Sequence, residues 1–263
     1  MEKIAIISDI HANLEALKTV LKDIEDKGIK RIFCLGDIVG KGAYPKECID
    51  LVLSKCEVIL IGNLEDFALK TPEEFCKRQD FLKRQIGDYI HKINQLPYCY
   101  EFYMSGSLVR LFHASPTSVV DRINHLDNYK AKIKAFYPSN NTISQEVADI
   151  VIFGDLHIQF MEKFYNKTLI NCGSVGCATD IIREDNIDSN CMEITQAFYL
   201  IIEGEMDSRE YTNSLSFHFI RVPYDIEKEL STENEVIERD AYSIELREGK
   251  YRDMQMLKDK YNI

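Results

Sequence analysis

The chain has 263 residues, of which 45% are hydrophobic and 29% are charged, so it is long enough to bury a substantial core. Its 43 acidic and 32 basic residues give a formal net charge of -11, which argues against broad electrostatic capture of nucleic acid or of an anionic membrane. We find no linker in the sequence and expect residues 1–263 to form a single domain.

The cysteine positions and the N-terminus indicate a cytoplasmic protein. Eight cysteines are scattered along the chain without a CxxC pair, which is typical of reduced thiols in the cytosol. The first apolar run ends at Asp9, too early for the apolar core of a signal peptide or for a membrane span.

The first third of the chain alternates between strand and helix patterns. Residues 3–7 form an apolar strand pattern, and Asn13 is placed to cap an amphipathic helix that ends near Gly28. Strand patterns at 31–35 and 57–61 flank a second helical pattern. Two successive βαβ units predict a sheet with a parallel core.

The rest of the chain contains further helix and strand patterns, and some of them are expected to lie beside the site. The helices near 71–96 and the acidic loop at 183–189 are expected as lids, and the charges on the former are typical of a solvated helix face. The segment from about 227 is expected to form peripheral helices that can also contact a second copy. The other patterns are strands at 108–112 and 150–153, a helical insertion near 125–137, and strands at 196–203 and 215–222 that either widen or face the first sheet.

Polar side chains directly follow five of the strand patterns. They are Asp9 with His11, Asp37, Asn63, His113, and Asp155 with His157. Ligands bind at the carboxyl ends of strands in α/β sheets, so we expect these residues to meet in one place. Carboxylate, imidazole and amide groups together suit manganese, iron or zinc, and the two oxygens of Asp37 can bridge two ions.

Each of these residues also has a plainer interpretation when it is taken alone. Asp9 or Asn63 can cap a helix, and His11 or His113 can be a hydrogen-bonded core histidine. Gly36 can serve a tight turn. A metal-free binder of phosphate or nucleotides is disfavoured, because the first strand-to-helix turn lacks a GxGxxG motif or a P-loop.

Six motifs occur in the order of a known metal cage. They are Asp9-x-His11, Gly36-Asp37-x-x-Gly40, Gly62-Asn63-x-Glu65, His113-Ala114-Ser115-Pro116, Gly154-x-x-His157 and Asn171-x-Gly173-Ser174-Val175-Gly176. Together they resemble the calcineurin-like metallophosphoesterases. The stretches at 13–17 and 221–225 are similar to the compact bacterial and archaeal members, which include phosphodiesterases.

The resemblance implies an α/β fold in which a layered β-sandwich is flanked by α-helices. It also implies two divalent metal ions, with Asp37 bridging between them. One ion would be held by Asp9, His11, Asp37 and His157, and the other by Asp37, Asn63, His113 and the residue at position 155. The two ions would lie about 3.5 to 4 Å apart. A hydroxide that bridges them would attack phosphorus in line. In this scheme the catalytic residues are Asp37 and Asn63, and the substrate-binding residues are Gly36, Gly62 and Asn63.

Two positions depart from the family pattern. Asp155 stands where a histidine is usual, so a third carboxylate would lower the positive charge of the site and favour manganese or magnesium over zinc. Because aspartate is shorter than histidine, Asp155 can instead bind the metal through a water. Leu64 replaces a histidine that donates a proton to the leaving group in many relatives. Leucine cannot donate a proton, which predicts better hydrolysis of esters whose leaving groups have a low pKa.

The resemblance implies a metal-dependent phosphoesterase that hydrolyses phosphate mono- or diesters, with manganese favoured among manganese, iron, magnesium and zinc. The expected substrate is a small nucleotide-like compound or a phosphoprotein, and neither a nucleic acid polymer nor a membrane is expected as a partner. The alternative is a catalytically weak or inactive metal-binding scaffold of the same fold, an interpretation that Asp155 and Leu64 support.

Overall fold

The computed structural model of the protein describes residues 1–70, 76–179, 196–211 and 214–249. Within them, two mixed β-sheets are flanked by helices, as the resemblance predicts. The strands are β1 (Glu2–Ile7), β2 (Arg31–Cys34), β3 (Val58–Ile59), β4 (Cys99–Met104), β5 (Ser107–Phe112), β6 (Ile150–Phe153), β7 (Gln159–Phe164), β8 (Lys167–Cys172), β9 (Ala197–Gly204) and β10 (Ser216–Val222). The helices are α1 (Leu14–Asp26), α2 (Pro45–Lys55), α3 (Asn63–Leu69), α4 (Lys77–Ile86), α5 (Ile90–Ile93), α6 (Tyr129–Lys132), α7 (Ile226–Leu230) and α8 (Arg239–Glu248).

The first sheet has the strand order β10-β9-β1-β2-β3. Its β1, β2 and β3 are parallel, which confirms the parallel core predicted from the two βαβ units. The strands β9 and β10 pair antiparallel at one side. They widen this sheet and do not face it, which decides between the two arrangements left open by the sequence.

The second sheet has the order β4-β5-β6-β8-β7, with parallel pairs in its centre and antiparallel pairs at both edges. The sequence patterns predicted β5 and β6 but missed β4, β7 and β8. The edge strand β7 alternates between half-buried and exposed positions, so it lacks the continuous apolar run of a strand buried on both faces. The five strands that end in polar residues are therefore divided between two sheets.

The core follows the two-residue period of the strands. On β1, Ile4 and Ile6 pack between the sheets against residues such as Val109 of β5. The alternate residues Ala5 and Ile7 belong to the apolar cluster on the other face of the first sheet. Each large aliphatic side chain buried in this way contributes about 1.5 to 3 kcal/mol to the stability of the folded state. The packed sheets therefore form a stable support for the loops at their ends.

The helices agree in part with the sequence prediction. Asn13 caps α1 by accepting the backbone N–H of Ala16 at 3.0 Å, as expected. The region near 71–96 contains α4, a 3-10 turn (Gly87–Tyr89) and α5, and the region near 125–137 contains α6 and a 3-10 turn (Ile133–Phe136). The expected C-terminal segment contains α7 and α8.

Some predicted features lie outside the described residues, namely the loop at 183–189 and positions 71–75 of the helical insertion. The last part of the C-terminal segment, from residue 250, also lies outside them. Across the described ranges, no helix combines the length and the apolar character needed to cross a membrane.

Candidate metal centre

Seven polar side chains converge where the ends of the two sheets meet. Those from the first sheet follow β1, β2 and β3, with Asn63 as the first residue of α3, and those from the second sheet follow β5 and β6. The seven are Asp9, His11, Asp37, Asn63, His113, Asp155 and His157; all are buried except Asn63, which is half-buried. Residues up to 148 positions apart in sequence, such as Asp9 and His157, are therefore in contact.

Asp9, His11 and His157 form one group of close polar atoms. The Nε2 atoms of the two histidines are 2.9 Å apart, and Nε2 of His157 lies 3.3 Å from Oδ1 of Asp9. Two ring nitrogens at this distance either share a proton or face a common cation. The three ligand atoms all lie within 4.8 Å of one another.

A second group is formed around His113. Its Nε2 atom lies 2.9 Å from Oδ1 of Asn63, 3.5 Å from Oδ1 of Asp37 and 3.9 Å from Oδ1 of Asp155. The other oxygen of Asp37 lies 4.0 Å from Nε2 of His11. The carboxylate of Asp37 thus faces both groups, an arrangement that suits a bridging ligand.

Backbone carbonyls orient two of the imidazoles. The Nδ1–H of His113 donates to the carbonyl of Leu35 at 2.9 Å, and that of His11 donates to the carbonyl of Val39 at 3.3 Å. A carbonyl can only accept, so in the neutral ring the lone pair is on Nε2, which points into the cluster. This is the second hydrogen bond that metal-binding histidines usually make.

The backbone is left-handed at five of the seven positions. The φ angles are +54° at Asp9, +53° at His11, +51° at Asp37, +63° at Asp155 and +66° at His157. Aspartate and histidine tolerate this region better than most residues, but each such conformation still costs energy, on the order of 1 kcal/mol. Backbone strain concentrated in one cluster is typical of a functional site.

Glu65 holds the loop that carries Asp37. Its buried carboxylate accepts four backbone N–H groups, from Asp37 (2.9 Å), Ile38 (2.8 Å), Val39 (3.1 Å) and Gly62 (3.0 Å). The loops after β2 and β3 are therefore joined through one side chain. In the sequence, Glu65 is visible as the last residue of the motif Gly62-Asn63-x-Glu65, and a glutamate in the first turn of a helix is a known signal for such a contact.

Gly36 and Gly62 allow the same two loops to touch. A Cβ on Gly36, whose φ is +102°, would lie 2.4 Å from the nitrogen of Gly62, and a Cβ on Gly62 would lie 2.2 Å from the nitrogen of Asp37. No side chain fits at either position. This close approach is a structural reason for both glycines, and their role in substrate binding stays a prediction.

The pKa values reflect a concentration of negative charge. Burial raises the pKa of Asp37 well above its usual range, and the charges of Glu65 and Asp9 add to this effect. Burial lowers the pKa of His113, but the carboxylates of Asp37, Asp9 and Asp155 outweigh it and raise the pKa to about 9. These carboxylates therefore require positive charge in the cluster.

A divalent cation fits these residues. Oδ1 of Asp9, which lies inside the cluster, is buried without a hydrogen-bond partner among the residues that the structure describes. Two carboxylate–imidazole groups share Asp9, one with His11 and His157 and the other with Asp37 and His113. Mixed nitrogen and oxygen donors of this kind bind manganese, iron or zinc.

Asp155 forms an ion pair with Arg122 that no motif in the sequence predicts. Its Oδ2 atom accepts a hydrogen bond from Nε of Arg122 at 2.8 Å, while its backbone N–H donates to Oδ2 of Asp9. The guanidinium therefore offsets the additional negative charge that Asp155 brings in place of the usual histidine. Arg122 is 33 residues away and has no local pattern that marks it, so only the folded chain reveals the pair.

Leu64 is buried and directed away from solvent. Its backbone N–H donates to Oδ1 of Asp37 at 2.9 Å, and its side chain is 4% exposed in the apolar core on the outer face of the first sheet. A Cβ on Gly40 would lie 2.5 Å from Cδ1 of Leu64 and 3.0 Å from Nδ1 of His11. The position next to His11 is therefore filled by an apolar side chain that cannot transfer a proton.

Comparisons with known proteins agree with this geometry. The family model described as calcineurin-like phosphoesterase matches residues 2–159. An uncharacterised protein of Methanocaldococcus jannaschii is 31% identical over 236 residues, which cover 86% of this chain and 89% of that protein.

Two solved structures share the fold over almost the whole chain. A metallophosphoesterase from Sphaerobacter thermophilus has a TM-score of 0.66 at 21% identity and covers 94% of this chain and 100% of its own. A hypothetical protein from Pyrococcus horikoshii has a TM-score of 0.66 at 16% identity, with 95% and 100% coverage. At these identities the likeness concerns the fold alone.

Proposed function

Since the chain belongs to the calcineurin-like phosphoesterase family, we propose that it is a metal-dependent phosphoesterase that hydrolyses phosphate mono- or diesters. One observation carries the proposal: two groups of buried carboxylate and imidazole atoms, each within 4.8 Å, meet at the ends of the two sheets. The substrate we propose is a small nucleotide-like compound or a phosphoprotein.

The proposed ligands divide between two divalent metal ions. Asp9, His11 and His157 would hold one ion, and Asn63, His113 and Asp155 would hold the other, with Asp37 between them. Manganese is favoured because oxygen donors contribute a large share of the set. Bound metal would lower the pKa of a water that acts as the nucleophile and would draw electron density from the phosphoryl group.

The chain's own residues would bind and orient the ester. Asn63 is half-buried beside His113, so its amide is accessible to a phosphoryl oxygen as well as to a cation. Glu65 keeps Asp37 and the loop before it in place through its four hydrogen bonds. Because Leu64 cannot donate a proton, esters with leaving groups of low pKa should react faster than alkyl esters.

The second candidate function is a metal-binding scaffold without useful turnover. Leu64 supports it, because the apolar side chain lies beside His11 where many relatives carry a proton donor. Asp155 supports it as well, because one of its oxygens is engaged by Arg122. Both candidates require metal, so measurements of turnover distinguish them.

The test is hydrolysis of p-nitrophenyl phosphate and bis(p-nitrophenyl) phosphate by the purified protein with manganese. We expect turnover that EDTA abolishes and that Asp37→Asn lowers by at least about a hundredfold. Asp26→Asn is the matched control, since Asp26 is an exposed residue paired with Lys22 on α1. Tight metal binding with no hydrolysis under manganese, iron, magnesium or zinc would establish the scaffold instead.

A second measurement addresses the leaving group. The rate for a series of aryl and alkyl phosphates should fall steeply as the pKa of the leaving group rises, because no side chain at position 64 donates a proton. Leu64→His should make this dependence shallower. A flat dependence in the wild-type protein would contradict the role given to Leu64.

A further inference from the structure

The two oxygens of Asp155 face different neighbours. Oδ1 lies 3.9 Å from Nε2 of His113, whereas Oδ2 accepts the hydrogen bond from Nε of Arg122 at 2.8 Å. The side chain of Asp155 is 3% exposed and that of Arg122 is 41% exposed. Arg122 therefore extends from the buried cluster to the solvent.

The loop that carries Arg122 is anchored on both sides. Before it, Oγ of Ser115 accepts the backbone N–H groups of Thr117 and Ser118 at 3.3 and 3.1 Å. After it, Ile123 is 8% exposed and packs in the core on the outer face of the second sheet. The guanidinium is thus held by its own ion pair and by an ordered loop.

The ion pair has the same net charge as the residue that the family usually has at this position. Asp155 carries one negative charge and Arg122 one positive charge, so together they match the neutral imidazole that the family usually has at position 155. They differ from an imidazole in offering N–H donors. An arginine carries five of these in a planar fork, of which the Nε–H is used by Asp155.

We propose that Arg122 is a substrate-binding residue that contacts an oxygen of the phosphate and makes the site prefer phosphate monoesters to diesters. A monoester near neutral pH carries close to two negative charges, because the second pKa of a phosphate is about 6, whereas a diester carries one. The guanidinium is the more exposed charge of the ion pair, so it should attract the doubly charged monoester more strongly than the diester.

This inference rests on the proposed function, but its main test does not depend on turnover. Inorganic phosphate is titrated calorimetrically into manganese-loaded wild-type protein and variants, with the manganese content of each measured. Arg122→Gln should raise the dissociation constant for phosphate by about tenfold or more. Arg122→Lys keeps the charge without the fork and should raise it by about threefold or more.

Arg31→Gln is the matched control. Arg31 also donates a hydrogen bond through Nε to a carboxylate, that of Glu57, at 2.7 Å. It is the first residue of β2, so it lies at the opposite end of the strands from the cluster. Its substitution should leave phosphate binding unchanged. Urea midpoints check that every variant is folded. If Arg122→Gln does not fold, Arg122→Lys still decides the test.

Kinetics supply the substrate-class measurement. Arg122→Gln should raise KM for p-nitrophenyl phosphate by about tenfold and KM for the bis ester by less than about threefold. Wild-type affinity for phosphate in both Arg122 variants, equal effects on the two esters, or loss of manganese from Arg122→Gln would overturn the proposal. So would the absence of phosphate binding in the wild type. If phosphate binds and weakens as expected but neither ester is hydrolysed, the proposed function fails and the role of Arg122 in binding phosphate stands.

Discussion

Replacing the buried carboxylate of Glu65 tests how the loop that carries Asp37 is held. In wild type, Oε2 accepts the N–H groups of Asp37 and Gly62, and Oε1 accepts those of Ile38 and Val39. Glu65→Gln keeps the shape but turns one oxygen into an NH2 group. Two backbone donors then face a donor, and the other two lose their charged acceptor.

The magnitude follows from the two unsatisfied donors. Each buried donor left without an acceptor costs about 1 to 3 kcal/mol, so the two together cost about 2 to 6 kcal/mol. Folded domains have a total free energy of unfolding of about 5 to 15 kcal/mol, so the loss is large. Because Asp37 is on the same loop, manganese affinity should also fall, by about tenfold or more.

The assay is urea unfolding in EDTA at pH 7, followed by circular dichroism and by a manganese titration of each protein. Glu57→Gln is the matched control, since this exposed carboxylate accepts two N–H groups of Arg31 at 2.7 Å. A surface pair of this kind contributes at most about 1 kcal/mol. If Glu65→Gln loses no more free energy of unfolding than Glu57→Gln, the holding role of Glu65 is wrong.

Three further predictions concern a glycine, a buried acid and the metal. Gly36→Ala places a Cβ 2.4 Å from a backbone nitrogen and should lower the free energy of unfolding by more than about 2 kcal/mol. The control Gly28→Ala, where φ is +69° but the surrounding space is open, should lower it by about 1 kcal/mol. Equal losses in urea unfolding would refute the close-contact explanation. Burial raises the pKa of Glu229 from 4.5 to about 7, so the folded state holds this proton longer than the unfolded state and stability is lost as the pH rises through that window. Glu229→Gln should reduce this loss in urea midpoints between pH 4.5 and 7.5, and an unchanged profile would contradict it. Manganese at a hundred times its dissociation constant should stabilise the wild-type protein and the control Asp26→Asn by about 2.7 kcal/mol in thermal unfolding. It should stabilise Asp9→Asn much less. Equal stabilisation of all three proteins would argue against Asp9 as a ligand.

Much of the fold is determined by local patterns in the sequence. Continuous apolar runs predict strands that are buried on both faces, and β1, β2, β5 and β6 are such strands. Asn13 caps its helix through a contact three residues away, so its role is readable in the chain. The polar residues at strand ends are likewise visible in the sequence, and the family motifs supply their proposed roles.

Only the tertiary structure decided how these strands are divided and which residues support the site. Strand pairing is a long-range choice, and the one-sided edge strand β7 has no apolar run that marks it. Glu65 and Arg122 act through contacts with residues 26 to 33 positions away, such as Val39 and Asp155. These contacts exist only after the sheets have packed and brought their loops together, because a side-chain hydrogen bond extends about 3 Å and depends on the positions of both partners.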